Sequence, residues 1–315
     1  MKKGFLYLLL FHYYLLSLYS TCELIAQEDA KYTQFMYNTQ SYNPAFVGLS
    51  GEKSIVALLR SQWMGIEGAP KTQMISYNAP TKMNNLSLGI GIVNDKIGPT
   101  SETYFDLDFS YKIALSGNSF VNFGIKASAH LLDINYNLLT QDSSLGSDPL
   151  LARNIDNRFS PNIGAGILYY QDDFFIGFSV PSFLETLHFD RSSFSEAREK
   201  MHYYFVSGLV LDIDPEFILR PSILLKAVKG APIQMDVSAT AMFKNKLSLG
   251  LSYRLQAALS GLVGYQASEQ LFVGISYDRA ATSLGRDLFN SGSLEAVVRY
   301  NFGSQASTNK PRFIF

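Results

Sequence analysis

The sequence predicts an all-β protein, a transmembrane antiparallel β-barrel of about 14 strands with short periplasmic turns and long extracellular loops. Three observations point there. Apolar and polar residues alternate strictly over long segments, the mark of strands with one apolar and one polar face. No run of 18 apolar residues follows residue 26, which excludes a transmembrane helix. The connections between the alternating segments are by turns tight and long, the plan of a spanning barrel.

Taken in order, residues 1–26 read as a secretory signal. Lys2 and Lys3 form a basic start, Phe5 to Leu18 an apolar stretch, and cleavage is expected after Ala26. Cys22, the single cysteine, lies inside this segment. It is either incidental or a poor lipoprotein site, and the mature chain has no disulfide in either case. Residues 27–51 form a leader, periplasmic or packed in the lumen. Its core, "YTQFMYNTQSYNPAFVG" (32–48), has no helical stripe and no alternation, and Asn43-Pro44 interrupts any strand.

The barrel is expected over 52–302. Its fourteen segments are 53–63, 71–79, 86–94, 102–115, 119–136, 159–171, 173–183, 200–212, 217–228, 231–244, 246–256, 258–267, 270–279 and 292–302. In 103–115, Phe105, Leu107, Phe109, Tyr111, Ile113 and Leu115 share one face, while Asp106, Asp108, Ser110 and Lys112 share the other. The runs 86–93, 121–131, 233–243 and 247–255 repeat the pattern. "SGNS", "QDD", "DIDPE", "KNK" and "ASEQ" are tight turns on one rim; 137–158, 184–199 and 280–291 are long polar loops on the other. A soluble sandwich is the alternative. Apolar faces of roughly ten residues match a tilted spanning strand, and polar faces rich in Gly, Ser and Asn suit a hydrated or plugged lumen. The last strand, "SLEAVVRYNF", is amphipathic and ends in an aromatic; residues 303–315 follow as a periplasmic tail.

Composition narrows function. Charged residues make up 17% and the formal net charge is −1, so there is no electrostatic case for nucleic acid. His130, His188 and His202 have no metal-ligand spacing, and no nucleophile or phosphate-loop motif appears. No catalytic residue, cofactor or metal is therefore expected. Alternating glycines in "LSLGIGIV" and "NIGAGILYY" lie on the inward face and make room in the interior. Arg60, Asp106, Asp108, Lys126, Arg220, Asp236, Arg254, Glu295 and Arg299, with Lys112, Lys226 and Asp278, project to the polar side. They either pair across the lumen and fix register or, in a pore, screen solutes. An interior holding bulky Tyr and Arg favours a plugged barrel. Trp63 with Tyr77, Tyr169, Tyr253, Tyr265, Tyr277 and Tyr300 fits aromatic girdles or ordinary packing.

The opening block, followed by "RSQWMGIEGAPKTQMISYNAP", resembles the N-terminal hallmark of the PorP/SprF family, outer-membrane proteins of the Bacteroidetes type IX secretion and gliding-motility systems. Tyr42-Asn43-Pro44-Ala45 pairs with Arg60, Gln62-Trp63 and Gly68-Ala69-Pro70 to carry the likeness. Thr39 departs from it, standing where many relatives have proline. The resemblance implies a non-enzymatic barrel in outer-membrane lipid. It would assist export or surface anchoring of secreted type IX cargo such as adhesins, and contact periplasmic secretion-system or peptidoglycan-binding proteins. The alternative is a diffusion pore for small or hydrophobic solutes. Tyr32, Phe35, Tyr37, Tyr42, Asn43 and Pro44 are the candidate leader residues for plugging the lumen or docking a periplasmic partner; a plain lead-in to the first strand is the other reading.

Overall fold

The computed structural model describes residues 31–83, 85–138, 154–185, 200–281, 291–303 and 311–314. The signal segment, His188 and most of the three long loops lie outside them.

Fifteen strands form one antiparallel sheet: β1 (Ser54–Ser61), β2 (Lys71–Pro80), β3 (Leu86–Ile97), β4 (Thr100–Ala114), β5 (Phe120–Ile134), β6 (Ile155–Tyr170), β7 (Phe174–Val180), β8 (His202–Leu209), β9 (Leu211–Asp214), β10 (Phe217–Val228), β11 (Gln234–Phe243), β12 (Leu247–Arg254), β13 (Ala258–Gln266), β14 (Leu271–Ala280) and β15 (Ser293–Asn301). β15 pairs with β1 and β10 with β11, so the sheet closes. β8 and β9 run end to end along β10 and count as one stave, which makes fourteen. The expected run 200–212 thus breaks at Val210. The Val210 amide still donates to the Asp173 carbonyl (2.8 Å), the last bond of β8 to the β7 side, and the β9–β10 register shifts between Phe217 and Ile218, opposite Asp212 to Asp214.

The polarity of the wall is inverted. Phe105, Leu107, Phe109 and Tyr111 point outward and are 40–49% exposed, and Leu249 and Leu251 are more exposed still. Their neighbours Asp108 and Ser110 point inward and are buried. Such a band has no place in water and is solvated by acyl chains. Tyr77, Tyr169, Tyr265 and Tyr300 stand near the strand ends at the short-turn rim; Tyr253, Tyr277 and Trp63 stand near the opposite rim.

Turn chemistry fits the rims. At the "KNK" turn Lys244 and Asn245 both take positive φ (51° and 53°), and the Lys246 amide donates to the Phe243 carbonyl (3.0 Å). This is the turn whose twist matches paired strands. The far rim is less uniform than expected. Gly98-Pro99 and residues 255–257 are also tight, so long loops occupy only some of its connections.

Candidate functional site: the leader in the lumen

Residues 32–47 lie inside the barrel. They form three short helical turns, Phe35–Tyr37, Thr39–Tyr42 and Pro44–Phe46. Asn43 explains the last one. Its side-chain oxygen accepts from the Ala45 amide (2.9 Å), and Pro44 supplies a preset φ at the first position. A strand is impossible there, and a cap is the result.

The leader meets the wall on opposite sides. At its start, the Thr33 and Gln34 amides donate to the two oxygens of the Glu295 carboxylate (2.9 and 2.8 Å). The Thr33 hydroxyl donates to Asp278 (2.6 Å) and accepts from Arg60 (2.8 Å). Arg60 bridges Asp278 (2.7 Å) and Glu295 (3.0 Å), closing a buried ring of charge and hydroxyl. Further on, Gln40 donates to Asp108 (2.8 Å), and the Tyr42 carbonyl accepts from Ser179 (2.7 Å). The Asn43 amide donates to the Ile167 and Phe178 carbonyls (3.2 and 3.4 Å). The Ala45 carbonyl accepts from Ser110 and Asn122 (3.3 and 3.1 Å). Backbone without regular structure is tolerated at membrane depth where the protein satisfies it, and these bonds do so.

Aromatic contacts fill between the polar ones. Tyr37 stacks on Phe272 (4.6 Å between centroids), and Tyr42 packs on Tyr204 (5.2 Å). Burial lifts the Tyr37 and Tyr42 phenols above the ordinary tyrosine value, so both stay protonated.

The inward glycines acquire a specific reason. A Cβ on Gly124 would lie 2.2 Å from the Ala45 nitrogen, and one on Gly166 would lie 2.0 Å from Asn43 Oδ1. Gly89 and Gly274 face Gln40 and Gln34 in the same way. The wall is shaved where the leader presses on it.

Of the polar residues singled out by alternation, Arg60 and Glu295 stand opposite each other on β1 and β15. Lys126 pairs with Asp106 (2.7 Å) and Asp108 (3.3 Å) on the neighbouring stave. Arg254 pairs with Asp236 (2.6 Å) on the next stave and reaches the Tyr32 carbonyl (3.3 Å). Pairing therefore runs between staves along the wall rather than across the lumen, because the leader occupies the space between. Arg220 and Arg299 are buried near Tyr37. His130 stacks on Tyr104 (4.3 Å) with Glu102 at 3.4 Å. Among the described residues no group of three or more His, Cys, Asp or Glu side chains converges on a metal position.

Sequence reasoning passed over Thr33, Gln34 and Gln40, whose partners lie 27 to 262 residues away. It also passed over the tail's socket. Phe313 packs on Phe175 (4.6 Å) and Tyr170 (5.9 Å) at the short-turn mouth. Arg312 pairs with Asp173 (2.9 Å) and Asp212 on the rim.

No curated protein matches the sequence. Among solved structures, the CymD monoaromatic hydrocarbon channel aligns with a TM-score of 0.51 at 12% identity, over 90% of this chain and 97% of its own. The Pseudomonas putida toluene transporter TodX gives 0.47 at 11%, over 84% and 94%. The Acinetobacter baumannii outer membrane protein Omp33 gives 0.45 at 9%, over 80% and 98%. At these identities CymD speaks for the fold alone, and the other two add nothing to it. The family model described as type IX secretion system membrane protein PorP/SprF matches residues 24–300. With its outward apolar band and closed antiparallel wall, this outer-membrane barrel belongs to the PorP/SprF family of type IX secretion membrane proteins.

Proposed function

We propose that the protein is a non-enzymatic, plugged barrel that assists export or surface anchoring of a particular secreted protein, adhesins being the expected class. The long loops near 137–158, 184–199 and 280–291 would engage the cargo, since binding on a rigid scaffold concentrates in loops. The short-turn rim would meet periplasmic secretion-system or peptidoglycan-binding proteins. A role in gliding motility belongs to the same reading.

The observation that carries this is the seated leader. A lumen crossed by residues 32–47, with hydrogen bonds to several staves, is built to hold shape rather than to pass solutes. It also bears on where periplasmic partners bind. Tyr32, Phe35, Tyr37, Tyr42, Asn43 and Pro44 are all buried, so a seated leader offers a partner little surface and the rim offers more. The competing reading, a diffusion pore, draws on the channel in the fold comparison and requires the leader to leave.

Affinity purification of the tagged protein from native outer membranes, with mass spectrometry, tests the proposal. Recovery of a large secreted protein bearing a type IX sorting domain is the expected result. A barrel recovered alone that conducts ions steadily would put the pore in its place.

A further inference from the structure

Several interior cations of this barrel are matched by acids on neighbouring staves. Arg60 has Asp278 and Glu295, Lys126 has Asp106 and Asp108, and Arg254 has Asp236. Arg299 has no ion pair among the described residues. It is 8% exposed, its Nε makes no hydrogen bond, and its guanidinium sits over the Phe272 ring at 5.6 Å. A guanidinium does not shed its proton, and a buried charge calls for a partner. Arg220, also buried, lies within electrostatic reach and adds positive potential.

Arg299 faces a cavity of about 80 Å³ at the short-turn mouth, between the leader, the wall and the tail. None of its lining residues is acidic. Thr39, Ser54, Asn78 and Asn301 line it beside the guanidinium and supply hydroxyl and amide donors. The Asn78 side-chain oxygen has no hydrogen-bond partner, so its amide is free to turn its NH₂ inward. The space is large enough for a small polar group of several heavy atoms.

We propose that this cavity is a binding site for one small oxyanion or carboxylate from the periplasm, seated on Arg299 and cradled by Asn301, Asn78 and Ser54. The site is independent of the cargo reading. Charge-assisted bonds to a guanidinium supply the affinity, and the neutral donors supply the geometry.

The test is calorimetric titration of the purified full chain in detergent with inorganic phosphate, and separately with acetate, at constant ionic strength. Thermal unfolding is followed in parallel. Saturable binding of one anion per chain is expected, with a midpoint that rises with anion concentration. Saturation by phosphate and not acetate identifies a free oxyanion. Saturation by both, in competition, identifies a carboxylate-accepting site. Arg299→Gln should weaken binding by about tenfold or more, the factor carried by a hydrogen bond to a charged group. Asn301→Leu keeps the charge and should weaken binding less. Lys112→Gln, which alters a cation on another stave near the same mouth, should leave binding unchanged. Absence of saturable binding by either anion, or equal binding in the Arg299 and Asn301 variants, would overturn the proposal.

Discussion

The leader and the tail both turn back into the barrel, yet they are held by different physics. The leader is tied by hydrogen bonds to buried carboxylates, its Thr33 and Gln34 amides meeting Glu295, which is wholly buried. The tail rests on one aromatic, Phe313, in a socket of Phe175 and Tyr170, with Arg312 pairing to carboxylates that are more than half exposed. Away from water, a hydrogen bond to a charged group contributes about 1.5–3 kcal/mol. At the mouth, salt screens the same kind of pair. The leader is therefore a structural part of the lumen, and the tail is the more easily released segment.

Breaking the buried ring should have the largest effect. Glu295→Ala leaves two leader amides unmet and Arg60 with one carboxylate, a loss of about 3–5 kcal/mol by the cost of removing one partner of a buried pair. Chymotrypsin should then cut the leader's tyrosines and phenylalanines, which are buried in the seated state. A leader still protected in the variant would mean that the ring is not its anchor.

Next comes steric eviction. Gly124→Val places atoms where the Ala45 backbone lies, and overpacking of this kind costs about 1–3 kcal/mol. The same change should be harmless in a chain lacking residues 31–50. A urea midpoint lowered by Gly124→Val in the full chain but unchanged by it in the leaderless chain would sharpen the comparison; equal damage in both would break it.

Asn43→Ala should cost about 1 kcal/mol through loss of the cap, and loosen the leader locally in hydrogen exchange while Thr33 stays protected. The smallest effect belongs to the tail. Arg312→Gln should loosen it relative to the native chain at low salt, and the difference should vanish as rising salt loosens the native tail as well. Cleavage near residue 311 followed against ionic strength measures both.

Much of the wall was legible because period two is a local signal. Phe105 to Leu115 declare their face within one segment, and alternation places Arg60 and Glu295 on the inward side. The break at Val210 was not legible, since alternation within one segment does not show the register shift that β9 makes against β10 between Phe217 and Ile218. The leader's composition marks it as neither helix nor strand, but its seat depends on partners such as Glu295, far along the chain, that only closure of the barrel brings near. The inward glycines were readable as space and not as space for Asn43 and Ala45. The tail's aromatic, Phe313, looks like any terminal phenylalanine until β6 and β7 supply Tyr170 and Phe175.

The most direct test is conductance of the purified protein in a planar bilayer, measured on the full chain and on a chain lacking residues 31–50. A seated plug predicts that the full chain is electrically silent and that removal of the leader opens a steady ion path. Steady conductance by the full chain, unchanged when the leader is absent, would contradict it.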